Sequence, residues 1–138
     1  MKTDKLELAV DLAAETGTVF VATADDKAMP HIAGAGKIEL IEKDCLAVTE
    51  WFCPRTVDNL QKNRKVSIVV WDKSSDAGFQ LLGQLQKIED MRVLDGYVPA
   101  LEGRPPLPQI EKRLIVRIDK ISDFKLGPHS DAEEEINK

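Results

Sequence analysis

Aromatic residues make up only 5% of this 138-residue chain, and it carries just two cysteines and two histidines. Cys45 and Cys53 lie in no CxxC spacing and no Cys/His cluster. Neither a zinc site nor a redox dithiol is signalled, and both thiols are expected to stay reduced. A block of basic residues is also missing, in a chain of net charge -5, which removes the electrostatic source of attraction to nucleic acid or to an anionic membrane. The longest clearly apolar stretch runs from Val66 to Trp71, far short of the ~20 residues that a membrane-spanning helix needs. The opening MKTDKLELAVDLAAE interrupts its apolar positions with acids and lysine, unlike the unbroken apolar core of a secretory signal. The expectation is a cytoplasmic protein without a nucleic-acid or membrane partner.

Hydrophobic residues account for 43% of the chain, enough for one domain with a continuous core and no disulfide or structural metal. Asp4 followed by Glu7 reads as a capping box, Leu6, Val10 and Ala13 share one helical face, and Gly17 is placed to end the helix. From Thr18 the preference turns to β. TVFVAT, a polar turn at Asp25-Asp26-Lys27 and a second run from His31 through Ile41 predict a hairpin, and CLAVT follows after the turn at Glu42, Lys43 and Asp44. Pro54 breaks the pattern, and Thr56 to Asn63 reads as a two-turn helix with Thr56 as its N-cap. Val66 to Trp71 and GFQLLGQLQKIE are further strands, with Gly83 the candidate for a bulge that resets the alternation. Asp90 to Val98 can be helical, Gly103 to Gln109 must be an extended loop, and RLIVRI is a last strand. The polar, acidic stretch 128–138 lacks the apolar surface to offset ordering entropy and is expected to fray as a tail on a 1–127 domain. The fold class predicted is mainly β: a six-stranded antiparallel barrel with an N-terminal helix and short inserted helices.

TEWFCPRTVDNLQKN carries the chemistry. A helix beginning at Thr56 leaves the amides of Val57, Asp58 and Asn59 without intrahelical partners at the positive end of the dipole, which suits a phosphate. Arg55 adds a planar donor fork and Thr56 a hydroxyl. A plainer alternative is that Thr56 only caps the helix while Arg55 is a solvated charge, and Asp58 would oppose an anion. Gly34 and Gly36 weaken the second strand, for which close approach of a flat ligand or a bulge are the two reasons. Cys53 is read as a packed, inert thiol, and His31 as a structural residue rather than an acid or base.

Taken in order, VFVATADDKAMPHIAGAGKIEL, CLAVTEWFCPRTVDNLQKNRKVSIVVWD and GFQLLGQLQKIED resemble the pyridoxamine 5'-phosphate oxidase-like FMN-binding split barrels, over about Val19 to Asp90. That resemblance implies a split barrel and a homodimer with FMN at the subunit interface. It implies that Arg55, Thr56 and Asn59 hold the phosphate and that Ala35, Gly36 and Lys37 line the flavin or ribityl chain. Thr49, Glu50, Trp51 and Phe52 would run along the isoalloxazine edge, and Gly78, Phe79 and Gln80 would reach a flavin from the same or the neighbouring subunit. The Arg-Leu-x-Pro signature of the true oxidases is missing after RLIVRIDKISDFKLG, which disfavours pyridoxamine phosphate as substrate.

The function implied is a flavin-dependent oxidoreductase passing electrons or hydride to a small-molecule acceptor or protein redox partner, without a dedicated catalytic side chain. The alternatives are a noncatalytic electron carrier, a binding module for FMN, deazaflavin or haem, and a ligand-free dimer. A haem would need His31 or His129 as its axial ligand.

Overall fold

In the computed structural model, which describes residues 2–49, 53–92, 110–128 and 133–135, the chain opens with helix α1 (Lys2–Thr16). There follow strands β1 (Val19–Ala24), β2 (Pro30–Ala35), β3 (Lys37–Glu42) and β4 (Cys45–Thr49), helix α2 (Pro54–Lys62), then β5 (Lys65–Asp72), β6 (Ala77–Arg92), β7 (Ile110–Asp123) and β8 (Glu133–Glu135). Leu6, Ala9 and Ala13 bury one stripe of α1, and the Gly17 amide closes the helix on the Ala13 carbonyl at 2.9 Å. The helix starts at Lys2, ahead of the Asp4 expected to cap it.

Every strand pairing is antiparallel. The sheet runs β2-β1-β5-β6-β7-β4-β3, with β8 on β7, so the architecture is the mainly β, antiparallel one that the pattern predicted and the split barrel that the resemblance implied. The two edge strands, β2 and β3, meet in sequence at Gly36, and no ladder joins them among the described residues. The predicted strand count of six becomes eight for two physical reasons. The run from His31 to Ile41 bends at Gly36 and divides in two, and Glu133–Glu135 pair with Lys120–Ser122 where fraying was expected.

Alternation puts Val19 and Val21, Val66, Ile68 and Val70, and Leu114, Val116 and Ile118 on one inner surface, together with Leu46, Val48 and Leu81. α1 packs against β3, β5 and β6, and α2 against β1 and β2. The bulge foreseen at Gly83 exists: the β6–β7 register shifts between Leu82 and Gly83 and again between Leu85 and Lys87. A Cβ at position 83 would run into the Arg117 carbonyl, so the strand must pass its neighbour there without a side chain. Arg64 fastens the same region, with its Nε 3.1 Å from the Leu85 carbonyl and one terminal nitrogen 2.8 Å from that of Gln86.

Residues 90–92, where a helix was possible, continue β6; residues 93–109, with the proline-rich loop Gly103 to Gln109, lie outside the described residues. No helix among the described residues is long and apolar enough to cross a membrane.

Candidate functional site

The start of α2 lies where Pro54 dictates. Proline has no amide to lose and a φ preset for the first helical turn, so Pro54 takes the first helical position and extended Cys53 becomes the N-cap. This corrects the expectation that Thr56 caps the helix: Thr56 sits in the first turn instead. The free-amide argument shifts with it. The amides of Thr56 and Val57 both bond to the Cys53 carbonyl, at 3.1 and 3.4 Å, which leaves the Arg55 amide as the exposed end of the dipole. No acid stands in the first turn, so Asp58 opposes an anion less than its position implied when Thr56 was taken as the cap.

Arg55 projects into solvent, whereas Thr56 is fully buried and its hydroxyl has no hydrogen-bond partner. A buried donor left unpaired costs about 1–3 kcal/mol. Asn59 is also buried, and its amide donates to the Thr23 hydroxyl at 3.1 Å, tying α2 to β1. Asp25 lies in the β1–β2 turn. Its carboxyl lies below the usual range because the Met29 amide and then the Lys27 amide donate to it, with Lys62 and Arg55 adding attraction.

Beside the start of α2, the mouth of the helix, is a pair that the sequence did not announce. His31 Nε2 lies 3.4 Å from Cys53 Sγ. Burial pushes the Cys53 thiol up, but the Thr56 hydroxyl, His31 and the Thr56 amide outweigh it and hold the thiol at about 7. The Thr56 hydroxyl lies near the sulfur without reaching hydrogen-bond geometry. The contact and the lowered thiol set Cys53 apart from the packed, inert thiol expected of it. A signal existed in Cys-Pro-Arg-Thr, since a proline at the first helical position puts the preceding cysteine at the N-cap. The histidine, 22 residues earlier, could not be placed without the fold.

The other nominated residues separate into two groups. Lys37 and Thr49 are direct cross-strand partners, Ala35 ends β2, and Gly36 forms the bend between β2 and β3. These lie near the chain leading into α2. Lys37 is exposed, with its amine 3.9 Å from Glu39. Glu50, Trp51 and Phe52 lie outside the described residues.

Gly78, Phe79 and Gln80 belong to β6, which β5 and β1 separate from β2. Gly78 answers to protein packing, because a Cβ there would meet the Val70 and Phe124 carbonyls at 2.5 and 2.6 Å. Gly34, by contrast, faces open space. The Gln80 amide donates to the Ser67 hydroxyl at 2.9 Å.

Ser67 also lines a groove of about 500 Å³ on the outer sheet face, with Ala22, Lys65, Leu82, Gln84 and Lys120. None of the residues nominated from sequence lines it, and it meets α2 at the C-cap Asn63 rather than at Arg55. The groove is an open face of strands, whereas the charge and the unpaired donor gather at the other end of α2. The α2 mouth is therefore the candidate site. No group of metal-ligating side chains occurs among the described residues.

A family model described as Pyridoxamine 5'-phosphate oxidase matches residues 6–116. No curated protein matches the chain. Among solved structures, a protein related to general stress protein 26 of B. subtilis (pyridoxinephosphate oxidase family), from Clostridium acetobutylicum, superposes with a TM-score of 0.67 at 18% identity, covering 99% of this chain and 97% of that one. An FMN-binding protein from Syntrophomonas wolfei gives 0.57 at 19% identity, covering 91% and 95%. An F420 reductase gives 0.60 at 16% identity, covering 81% and 94%.

Proposed function

Since the chain belongs to the pyridoxamine 5'-phosphate oxidase family, we propose that it is an FMN-binding oxidoreductase that grips the cofactor phosphate with Arg55 and Thr56. The observation that carries this reading is the fully buried Thr56 hydroxyl without a partner, next to a solvent-facing guanidinium at a helix start free of acids. A phosphate would relieve that donor's deficit and receive the charge-assisted fork of Arg55. Asn59 serves by holding α2 on β1 through Thr23, so its share is to position the cradle. Ala35, Gly36, Lys37 and Thr49 would run beside the ribityl chain and ring, and Glu50, Trp51 and Phe52 would continue that wall. Gly78, Phe79 and Gln80 would serve a flavin from the second subunit of a homodimer, since two strands part them from β2.

When bound, FMN supplies the redox chemistry, exchanging electrons or hydride with a small acceptor. The chain binds the phosphate, orients the ring and excludes water, and no side chain is assigned as catalytic. A deazaflavin is the second reading, favoured by the structural likeness to an F420 reductase. It would present a different tail to the same mouth.

The test is titration of Arg55→Ala and Thr56→Val with FMN and with riboflavin. Losing the guanidinium should weaken FMN by about 1.5–3 kcal/mol, roughly 10- to 150-fold, and leave riboflavin unchanged. Unaltered FMN binding by both variants would remove the phosphate assignment. Tighter binding of a deazaflavin than of FMN by the unaltered chain would favour the second reading.

A further inference from the structure

The mouth of α2 holds a second kind of chemistry that needs no flavin. Cys53 Sγ lies 3.4 Å from His31 Nε2, at the N-cap of a nine-residue helix whose dipole favours negative charge there. Thr56, fully buried, holds its unpartnered hydroxyl near the same sulfur. These features converge on one half-buried atom. A base beside it can take a proton, and a helix start can steady an anion. We propose that Cys53 is a nucleophilic thiol, activated by His31, that hydroperoxides oxidise to a sulfenic acid.

The step balances within the pair and its oxidant. The Cys53 proton passes to His31, and the thiolate sulfur attacks one oxygen of the hydroperoxide. The S–O bond forms as the O–O bond breaks, and the departing alkoxide or hydroxide recovers the proton from His31. Sulfur loses two electrons, the peroxide gains them, and the products are Cys53 sulfenic acid and an alcohol or water. Cys45 is an internal contrast. It begins β4, at the opposite end of that strand from Thr49 and the chain leading to Cys53, and burial together with Asp44 and Glu42 raises its thiol.

At pH 7, a thiol held at about 7 is half ionised, whereas one at its ordinary 9.0 is ionised to about 1%, a ~50-fold difference. The weaker nucleophilicity of the more acidic thiol takes back about 8-fold, leaving roughly a 6-fold advantage in rate.

The experiment treats the full chain, as purified and reduced, with equimolar hydrogen peroxide in the presence of dimedone, and reads both cysteine peptides by mass spectrometry. Iodoacetamide rates from pH 5 to 10 are measured alongside. Expected are dimedone on Cys53 with little on Cys45, an alkylation midpoint near 7 at Cys53, and in His31→Gln a higher midpoint with a loss of up to roughly 6-fold in its rate at pH 7, since Thr56 keeps its share of the shift. Equal labelling of the two cysteines, or a Cys53 midpoint as high as that of Cys45, would overturn the assignment, and so would a His31→Gln variant that reacts like the unaltered chain. Should that variant lose its circular dichroism signature, the pH profile of the unaltered chain decides alone. Each readout stands whether or not the chain binds flavin.

Discussion

Single side chains set the pH response of this protein. The Cys53 thiol ionises at about 7 in the folded chain and near 9.0 when unfolded, so between these values the unfolded state holds the extra proton and stability rises with pH. Urea midpoints should therefore climb from pH 7 to pH 9, and Cys53→Ser should flatten that climb; an unchanged slope would show that the sulfur is not ionised early. The opposite limb belongs to carboxylates. Asp76 lies below its ordinary range because the Leu126 amide and then the Trp71 indole donate to it, with heavy-atom distances of 2.9 and 3.0 Å. Asp72 is lowered mainly by the hydroxyl and amide of Ser74. Their contributions are present above the unfolded value of 3.8 and fade as pH falls through the depressed folded values. Asp76→Asn should accordingly lose less stability than the unaltered chain between pH 4 and pH 2. Arg55 and Thr56 stood out in the sequence because a local motif carries them. The His31–Cys53 contact did not, because only the β1–β2 hairpin and the seating of α2 bring those residues together.

At the level of elements, the strands were legible wherever branched and apolar residues alternate between turn residues, as in β1, β4 and β5. The bulge at Gly83 was legible for the same reason, since strict alternation fails across GFQLLGQLQ and a glycine stands where it fails. Gly83→Ala should cost about 1–3 kcal/mol or more, because backbone rather than a flexible side chain must yield. Chemical denaturation measures this, and a neutral effect would place the bulge elsewhere. The start of α2 was misplaced because threonine's preference for the N-cap was weighed above proline's preference for the first helical position, and Pro54 prevails. Leu60, fully buried on α2, anchors the helix in the core. Leu60→Ala should destabilise the fold by about 2–5 kcal/mol and loosen the mouth that α2 forms.

Across the whole molecule, the break of one β run at Gly36 sends its two halves to opposite edges of the sheet, an arrangement that no local propensity encodes. Phe20 on β1 and Ile32 on β2 point outward and are 47% and 66% exposed, next to a groove whose floor is also sheet. The proposed homodimer would cover this face, and Ile32→Lys should then shift sedimentation towards the monomer while the fold persists. A monomeric unaltered chain would leave Gly78, Phe79 and Gln80 without the flavin proposed for them. The most direct measurement compares the affinities of the unaltered full chain for FMN and for riboflavin, which differ only in the phosphate. FMN binding tighter by at least about 10-fold is the expected result. Equal affinities, or no binding of either, would contradict a phosphate held by Arg55 and Thr56.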